Sequence, residues 1–311
     1  RIPGIFYRSW RRSTGNSTLE TTIKEPFASN PAVLRAIEKN HKKLQIAMTK
    51  LYPGNLVLSL SSGVMHHRLV DRITSLNDVP REPLVPRRLG KNMCVPFGKI
   101  LRGKVVPNTV TKTLHTDKVY EPDLESYTIE PFPYYSPLNS QIETIRSFDR
   151  PVILVDDLVH KADRLRVLVP KLRETGIPIK KVVVGVLSGY GRDLMQQLKV
   201  PVESIYSMPN VRQWFVESTL YPFIGGDTVR REEMKVAGLQ PSINMILPYA
   251  TPKLSGCSRE ALVEFSACCI ENSRDLLQVL EAEYRKQYAG DNDQGTVCQQ
   301  SGGPQGNREE S

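Results

Sequence analysis

The amino-acid sequence predicts an α/β protein with a mainly parallel sheet flanked by helices, a helical extension on the N-terminal side and a long C-terminal helix. Two nearly continuous apolar runs, PVILVDD (151–157) and KKVVVGVLSG (180–189), have the composition of strands buried on both faces of a parallel sheet. The helical pattern of 163–176 lies between them, which is the spacing of a right-handed βαβ unit. Segment 258–288 has the apolar spacing of one long amphipathic helix, capped by Ser258.

The composition limits the class of protein. The chain has 311 residues, 40% of them hydrophobic and 24% charged, so it can bury the core of one large or two ordinary domains. This balance argues against a disordered or fibrous protein. Five cysteines without a CxxC spacing argue against a disulfide framework or a zinc site, and they favour a reducing compartment. No apolar stretch approaches about 18 residues, so we predict no transmembrane helix and a cytoplasmic protein.

The net charge of +9 favours an anionic partner, which could be a nucleotide, a phosphate-rich metabolite, RNA or a lipid headgroup. The charge is concentrated at the start of the chain, because residues 1–50 hold ten Lys or Arg residues and three Glu residues. An RNA-associated role remains open on the basis of this charge and of the aromatic residues Phe6, Tyr7 and Trp10 within it.

The first part of the chain predicts a helix over 31–51, a strand over 55–63 and a second helix over 64–77. Asn30 can cap the first helix, whose apolar residues recur at helical spacing. A segment rich in proline and arginine, NDVPREPLVPRRLG, then separates these elements from the rest. We therefore divide the chain into a basic N-terminal α/β extension or cap (1–90), an α/β domain with the long C-terminal helix (91–288) and a disordered tail (289–311).

The second part begins with a strand in KNMCVPFG (91–98) and an extended, β-rich segment over 104–120. The aromatic, proline-punctuated segment that follows, up to Pro137, shows no clear period and predicts a loop. Beyond the two buried strands, SGYGRD (188–193) leads into another helix.

Polar residues that directly follow the buried strands are the candidates for a site, because ligands bind beyond the carboxyl ends of parallel strands. Asp156 and Asp157 end one such strand, and paired carboxylates there suit hydroxyl or Mg²⁺ recognition. His160, Lys161 and Arg164 follow at a helix N-terminus, which itself favours anions. Acids for a sugar beside cations for a phosphate predict a sugar-phosphate site. The alternative is that Asp157 caps the turn and the cations are ordinary surface charges.

The segment VILVDDLVHKADRL resembles the phosphoribosyl-pyrophosphate signature of type I phosphoribosyltransferases, in which four apolar residues and two acids precede a phosphate loop. MCVPFGKILRG resembles the preceding strand and pyrophosphate loop of that family, and the aromatic segment around 119–136 lies where the family has its mobile hood. KKVVVGVLSGYGRDLMQQLKVPVESIYSM resembles the strand, turn and helix that follow the signature. The resemblance covers about residues 91–210.

The resemblance implies a phosphoribosyltransferase-like fold that forms a homodimer and binds phosphoribosyl pyrophosphate or a nucleotide. It also implies transfer of the phosphoribosyl group to a nucleobase-like acceptor. Asp156 and Asp157 would be the catalytic pair, engaging the ribose hydroxyls directly or through Mg²⁺. The phosphate-binding residues would be His160, Lys161 and Arg164 in the loop after the signature, with Lys99 and Arg102 in the pyrophosphate loop.

The phosphate loop departs from the family pattern. The family sequence Thr-Thr-Gly-x-Thr is replaced by His-Lys-Ala-Asp-Arg at 160–164. We expect Ala162, at the glycine position, to resist a positive φ, and Asp163 to repel a phosphate unless it points away. These departures leave open a second function, a non-catalytic nucleotide-sensing regulator with the same fold.

Five further residues are candidates for the hood or for base binding. Lys112 and His115 precede the predicted hood, Arg192 lies in a strand-to-helix turn, and Trp214 could stack on a planar base, as could Tyr221. The alternatives are an edge-strand histidine, a plain turn and a helix that covers the core.

Overall fold

The chain is described by a computed structural model. It describes the backbone of residues 4–9 and, beyond these, residues 23–86, 88–98, 100–101, 103–123, 126–132, 134–221, 227–230, 242–243 and 256–288. The predicted tail and the candidate residues Lys99 and Arg102 lie outside the described residues.

The described residues form strands and helices in the following order. The strands are β1 (Gly4–Ser9), β2 (Leu56–Ser61), β3 (Met93–Pro96), β4 (Thr116–Tyr120), β5 (Tyr127–Pro131), β6 (Val152–Val159), β7 (Ile179–Ser188), β8 (Val202–Met208), β9 (Val211–Val216), β10 (Asp227–Val229) and β11 (Ser242–Ile243). The helices are α1 (Pro31–Leu51), α2 (Ser62–Leu76), α3 (Leu138–Arg146), α4 (Asp163–Glu174), α5 (Gly189–Gln197) and α6 (Arg259–Tyr288).

The predicted α/β fold class is confirmed by a four-stranded sheet with the order β3-β6-β7-β8, in which every pair is parallel. One face of this sheet packs against α3, α4 and α5 through apolar residues such as Ile142 and Leu168. The other face packs against α2 through Met65, Leu69 and Ile73. Strands β3, β6 and β7 are apolar over most of their length because both faces are covered there.

A second sheet, β2-β1-β9, is also parallel and joins the first part of the chain to a strand beyond the central sheet. Helices α1 and α6 pack together beside it around a separate apolar core that includes Leu44, Phe215 and Phe265. Asn40 and Asn272, both fully buried, each donate to the other's backbone carbonyl across the helix pair. The N-terminal and C-terminal helices are therefore one packed unit.

The helices at the two ends agree with the sequence prediction. Helix α1 spans the predicted residues, and the side chain of Asn30 accepts hydrogen bonds from the N–H groups of Ala32 and Val33 at its start. No described helix has the length and apolar character that a membrane crossing requires.

Two elements differ from the prediction. The aromatic segment predicted as a loop contains β5, which forms an antiparallel hairpin with β4 of the predicted extended segment, and β4 also pairs with β10. Helix α3 was not predicted, although Leu138, Ile142 and Ile145 recur at helical spacing and are buried. The helix has nine residues and lies between a Ser-Pro and a later Arg-Pro dipeptide. It is too short to show a strong helical period in the sequence.

Candidate functional site

A cavity of about 500 Å³ lies at the carboxyl ends of β3 and β6. Its floor is formed by the end of β6 and the loop that leads into α4, its roof by the hairpin β4–β5, and its far wall by β9. The charged residues in its lining are Lys118, Asp156, Lys161, Asp163, Arg164 and Arg212. The volume is in the range of small-molecule sites, about 300–1,000 Å³.

Asp156 is the acidic residue at the floor of the cavity, and it is only 4% exposed. Its Oδ1 accepts a hydrogen bond from the N–H of Asp157 at 2.8 Å, and its Oδ2 lies 4.0 Å from Nη1 of Arg164. Burial, and next the carboxylate of Asp157, raise the pKa of Asp156 well above its usual value, and the Arg164 charge opposes this. The site therefore favours a protonated Asp156, which can both donate to and accept from a hydroxyl group.

The loop from β6 to α4 makes an uncapped helix N-terminus. Ala162 occupies the N-cap position with φ 53° and ψ 28°, so the expectation that it would resist a positive φ is wrong. The turn between strand and helix imposes this conformation, and the small buried methyl group fits against the core. No described side chain caps α4, which leaves its first-turn N–H groups directed at the end of the cavity that residues 160–165 line.

Arg164 carries hydrogen-bond donors that no described residue uses. Its Nε–H is buried and has no acceptor among the described residues, and its Nη1 is too far from Asp156 for a hydrogen bond. A buried N–H group without an acceptor is costly unless a ligand supplies one. Together with Lys161 and the helix N-terminus, it makes this end of the cavity suited to an anion.

Asp163, the acid within the same loop, is held by the hairpin. Its Oδ2 lies 3.8 Å from Nζ of Lys118, whose ammonium group is 3.6 Å from the ring centre of Tyr127. Burial, and next a hydrogen bond with Asp163, raise the pKa of Tyr127. The negative charge of Asp163 is thus offset by a neighbouring cation, so it opposes a bound anion less than the sequence suggested.

His160 lines the cavity beside the loop and contacts the turn after β7. Its Nδ1 lies 2.8 Å from Oγ of Ser188, and its ring is 5.7 Å from that of Tyr190. Burial, and next the charge of Lys161, lower the pKa of His160 below its usual value, with Asp163 opposing. The neutral imidazole is therefore favoured at neutral pH.

Strand β9 supplies the far wall through Arg212 and Trp214. Trp214 was a candidate from the sequence, where it was weighed against a helix that covers the core, but it lies on a strand. Arg212 was not identified, because only the parallel pairing of β9 with β1 brings it to the site. Lys118 of β4 also lines the cavity, although no role was predicted for it from the sequence.

Other candidates from the sequence do not line this cavity. Lys112 is exposed, and the ring of His115 stacks on Tyr135 at 3.7 Å. Arg192 donates to Oγ of Ser207, and Asp157 is half-buried beside Asp156 without lining the cavity. The structure thus brings together Asp156, His160, Lys161, Arg164 and Trp214.

The side chains of the described residues do not supply the oxygen ligands that a magnesium ion requires. The described residues contain no group of three His, Cys, Asp or Glu side chains able to hold a metal. Asp156 is one oxygen ligand at most, with its pKa raised and a guanidinium 4.0 Å away. These residues do not fit a protein-held Mg²⁺ site, which requires several oxygen ligands.

Comparison with known proteins gives no family assignment. No protein-family model and no curated protein matches the chain. Among solved structures, a purine phosphoribosyltransferase from Pyrococcus horikoshii Ot3 is similar, with 14% identity over 55% of this chain and 93% of that chain and a TM-score of 0.28. A mutant hypoxanthine phosphoribosyltransferase from Trypanosoma cruzi, complexed with the product IMP, has 16% identity over 47% of this chain and 72% of that chain, with a TM-score of 0.28.

A third structure, the AQ2163 protein from Aquifex aeolicus, has 14% identity over 64% of this chain and 89% of that chain, with a TM-score of 0.29. These identities and TM-scores are too low to carry an argument about the chain. The function must therefore be inferred from the residues of the cavity.

Proposed function

We propose that the cavity binds a phosphorylated ribose, either as phosphoribosyl pyrophosphate or as a nucleotide. The observation that carries this proposal is the placement of the buried acid Asp156 within 4.0 Å of Arg164, beside the uncapped N-terminus of α4 in one cavity. The helix end and the guanidinium suit a phosphate group, and the acid suits the hydroxyl groups of a sugar. Trp214 on the far wall offers an apolar surface for a base.

Two functions share this ligand. In the first, the protein transfers the phosphoribosyl group from phosphoribosyl pyrophosphate to a nucleobase-like acceptor, and positioning and charge stabilisation supply the catalysis. In the second, it is a non-catalytic sensor of the same ligand. The second is favoured by the raised pKa of Asp156, because an acid that is more readily protonated stabilises a developing positive charge less well than a carboxylate.

Magnesium enters this proposal only as an ion carried by the phosphates of the ligand. The described side chains do not supply a set of protein ligands for it. Its role is therefore tested by comparing ligand binding with and without the metal, and the roles of Asp157, His160 and Lys161 are tested by substitution.

The experiment is a thermal shift of the full chain with phosphoribosyl pyrophosphate, measured with and without Mg²⁺. We expect the melting temperature to rise, since a ligand at one hundred times its Kd adds about 2.7 kcal/mol. The shift, taken from each variant's own baseline, should vanish in the D156N/D157N double variant and persist in D193N, which changes an exposed acid on α5. If neither phosphoribosyl pyrophosphate nor nucleotides shift the wild type, the proposal is wrong.

Release of pyrophosphate separates the two functions. A transferase releases pyrophosphate when a panel of bases is added to the complex, whereas a sensor binds the same ligand and releases none. Homodimerisation stays a prediction from the family resemblance, and sedimentation of the full chain tests it.

The RNA-associated alternative finds little support in α1. Nζ of Lys42 lies 3.2 Å from Glu38, and Nζ of Lys43 lies 3.0 Å from Asp275 of α6. Lys39 is 3.9 Å from the same aspartate. Three of the lysines on this helix are therefore paired with acids, which weakens their attraction for phosphates.

A further inference from the structure

The buried hydroxyl group of Ser188 joins the turn after β7 to the phosphate end of the cavity. Ser188 is 1% exposed and is the N-cap of α5, where its Oγ accepts a hydrogen bond from the N–H of Gly191 at 2.9 Å. The same oxygen lies 2.8 Å from Nδ1 of His160. The Ser188 hydroxyl group therefore accepts one hydrogen bond from Gly191 and shares a second with His160, in which either atom could be the donor.

The direction of this second hydrogen bond follows from the hydrogens available. A serine hydroxyl has one hydrogen to donate, and a buried donor without an acceptor is costly. Within the described part of the chain, Nδ1 of His160 is the one acceptor in hydrogen-bond contact with the Ser188 hydroxyl. The reverse arrangement, with Nδ1–H donating to Oγ, would leave the buried hydroxyl hydrogen without a described acceptor. The satisfied arrangement is therefore Oγ–H donating to a bare Nδ1.

A neutral imidazole whose Nδ1 is bare carries its hydrogen on Nε2. The groups that act on the charge of this ring are Lys161 and Asp163 of its own loop, and the ring of Tyr190 from α5 lies against it. Lys161 and burial both disfavour a second proton on His160, while Asp163 favours one. The ring lines the cavity, so Nε2–H is the donor it can offer to a ligand.

We infer that Ser188 is a positioning residue that fixes His160 as a neutral Nε2–H donor to an oxygen of the bound phosphate. The identity of the ligand in this inference rests on the proposed function, whereas the position of the hydrogen on the His160 ring does not. A neutral donor role replaces the cationic role that the sequence suggested for His160. The positive charge at the phosphate end then comes from Lys161 and Arg164. His160 supplies a neutral hydrogen bond whose geometry is fixed by Ser188.

The hydrogen assignment is tested in the free protein. The full chain labelled with ¹⁵N-histidine is examined at pH 7.5 by two-bond nitrogen–proton NMR correlation, with H160Q used to identify the His160 signals. We expect Nδ1 at the shift of a bare ring nitrogen and Nε2 at that of a protonated one. In S188A the two forms should mix, and S188T, which keeps a hydroxyl group, should restore the single form. The wild-type spectrum decides the point even where a variant does not fold.

The donor role is tested with ribose 5-phosphate as the probe. H160A and S188A should weaken binding about tenfold or more, the loss expected when a hydrogen bond to a charged group is removed. H160Q, which keeps an N–H donor, should weaken binding less than H160A.

Each outcome counts for or against a separate statement. An Nδ1–H form in the free wild type, or equal losses in H160A and H160Q, overturns the inference. Absence of ribose 5-phosphate binding by the wild type overturns the donor role, while the proposed function is decided by phosphoribosyl pyrophosphate and nucleotides and the hydrogen assignment by NMR.

Discussion

The backbone of Gly98 lies directly against the carboxyl group of Asp156. A Cβ atom placed on Gly98 would be 1.5 Å from Oδ1 of Asp156 and 2.3 Å from its Cγ. This close approach allows no side chain at position 98 while the acid keeps its present position. The loop after β3 and the end of β6 are therefore built around one carboxyl group.

The first prediction concerns this approach. G98A should lower the free energy of unfolding by about 1–3 kcal/mol, as overpacking of a tight site does, and should abolish the ligand-induced thermal shift. In a D156A background the same glycine substitution should cost less, because the carboxyl group that the new methyl meets is gone. Urea denaturation of the four proteins in this double-mutant cycle measures the difference. Equal costs in both backgrounds would contradict the contact.

The second prediction concerns the charge of Asp156. Because burial and Asp157 raise its pKa in the folded state, the protonated acid stabilises the fold fully below the unfolded value of about 3.9, and this contribution is lost as pH rises through the raised folded pKa. D156N stays neutral at every pH. Its stability relative to wild type should therefore increase between pH 5 and pH 8, although it binds no ligand. Urea midpoints at the two pH values measure this, with D193N as the control. A constant offset would show that Asp156 is ionised throughout.

The third prediction concerns Arg164. R164M should weaken the binding of phosphoribosyl pyrophosphate about 10- to 100-fold, the loss of a charge-assisted hydrogen bond, and R164K should recover only part of it because a lysine lacks the planar fork. The matched control is R166M, which removes an exposed arginine two residues further along the same helix. Isothermal titration measures the three affinities. A similar loss in R166M would mean that only the overall charge of the helix matters.

The fourth prediction concerns Asp163. D163N removes a negative charge from the loop between β6 and α4, and with it the carboxylate that lies 3.8 Å from Lys118. Binding of ribose 5-phosphate should tighten by about two- to fivefold at low salt, and the gain should shrink as ionic strength rises. E174Q changes an acid at the other end of α4 and should leave the affinity unchanged. Weaker binding by D163N would indicate that the hold of Asp163 on the hairpin matters more than its charge.

The site residues that the sequence predicted correctly are close to one another along the chain. Asp156, His160, Lys161 and Arg164 follow one buried strand within nine residues, so the apolar run and the helix start predict their placement directly. Trp214 was identified by residue type alone. Arg212 was missed because its place depends on a pairing between distant strands, which no local pattern reports.

The sequence predicted the extended segment that contains β4 but not its pairing with β5, and β4 buries polar residues. Thr116 and Asp117 are both buried in β4, and Asp117 accepts a hydrogen bond from Thr228 of β10 at 2.6 Å. An alternating apolar pattern is absent where polar side chains are buried by such partners. Ala162 shows a related effect, since the turn between β6 and α4 overrides the preference of alanine for negative φ.

The pairing of β1 with β9 also sets an order for building the protein during synthesis. Strand β1 leaves the ribosome first, and β9 follows about 200 residues later. Domains fold as their segments emerge, so among the described strands β2 is the partner that β1 has available until then. The loop that is proposed to hold phosphate can form as soon as β6, α4 and β7 have emerged, whereas the wall with Trp214 must wait for β9. A nascent chain thus forms the end of the cavity that is proposed to bind an anion before the surface proposed to select the rest of the ligand.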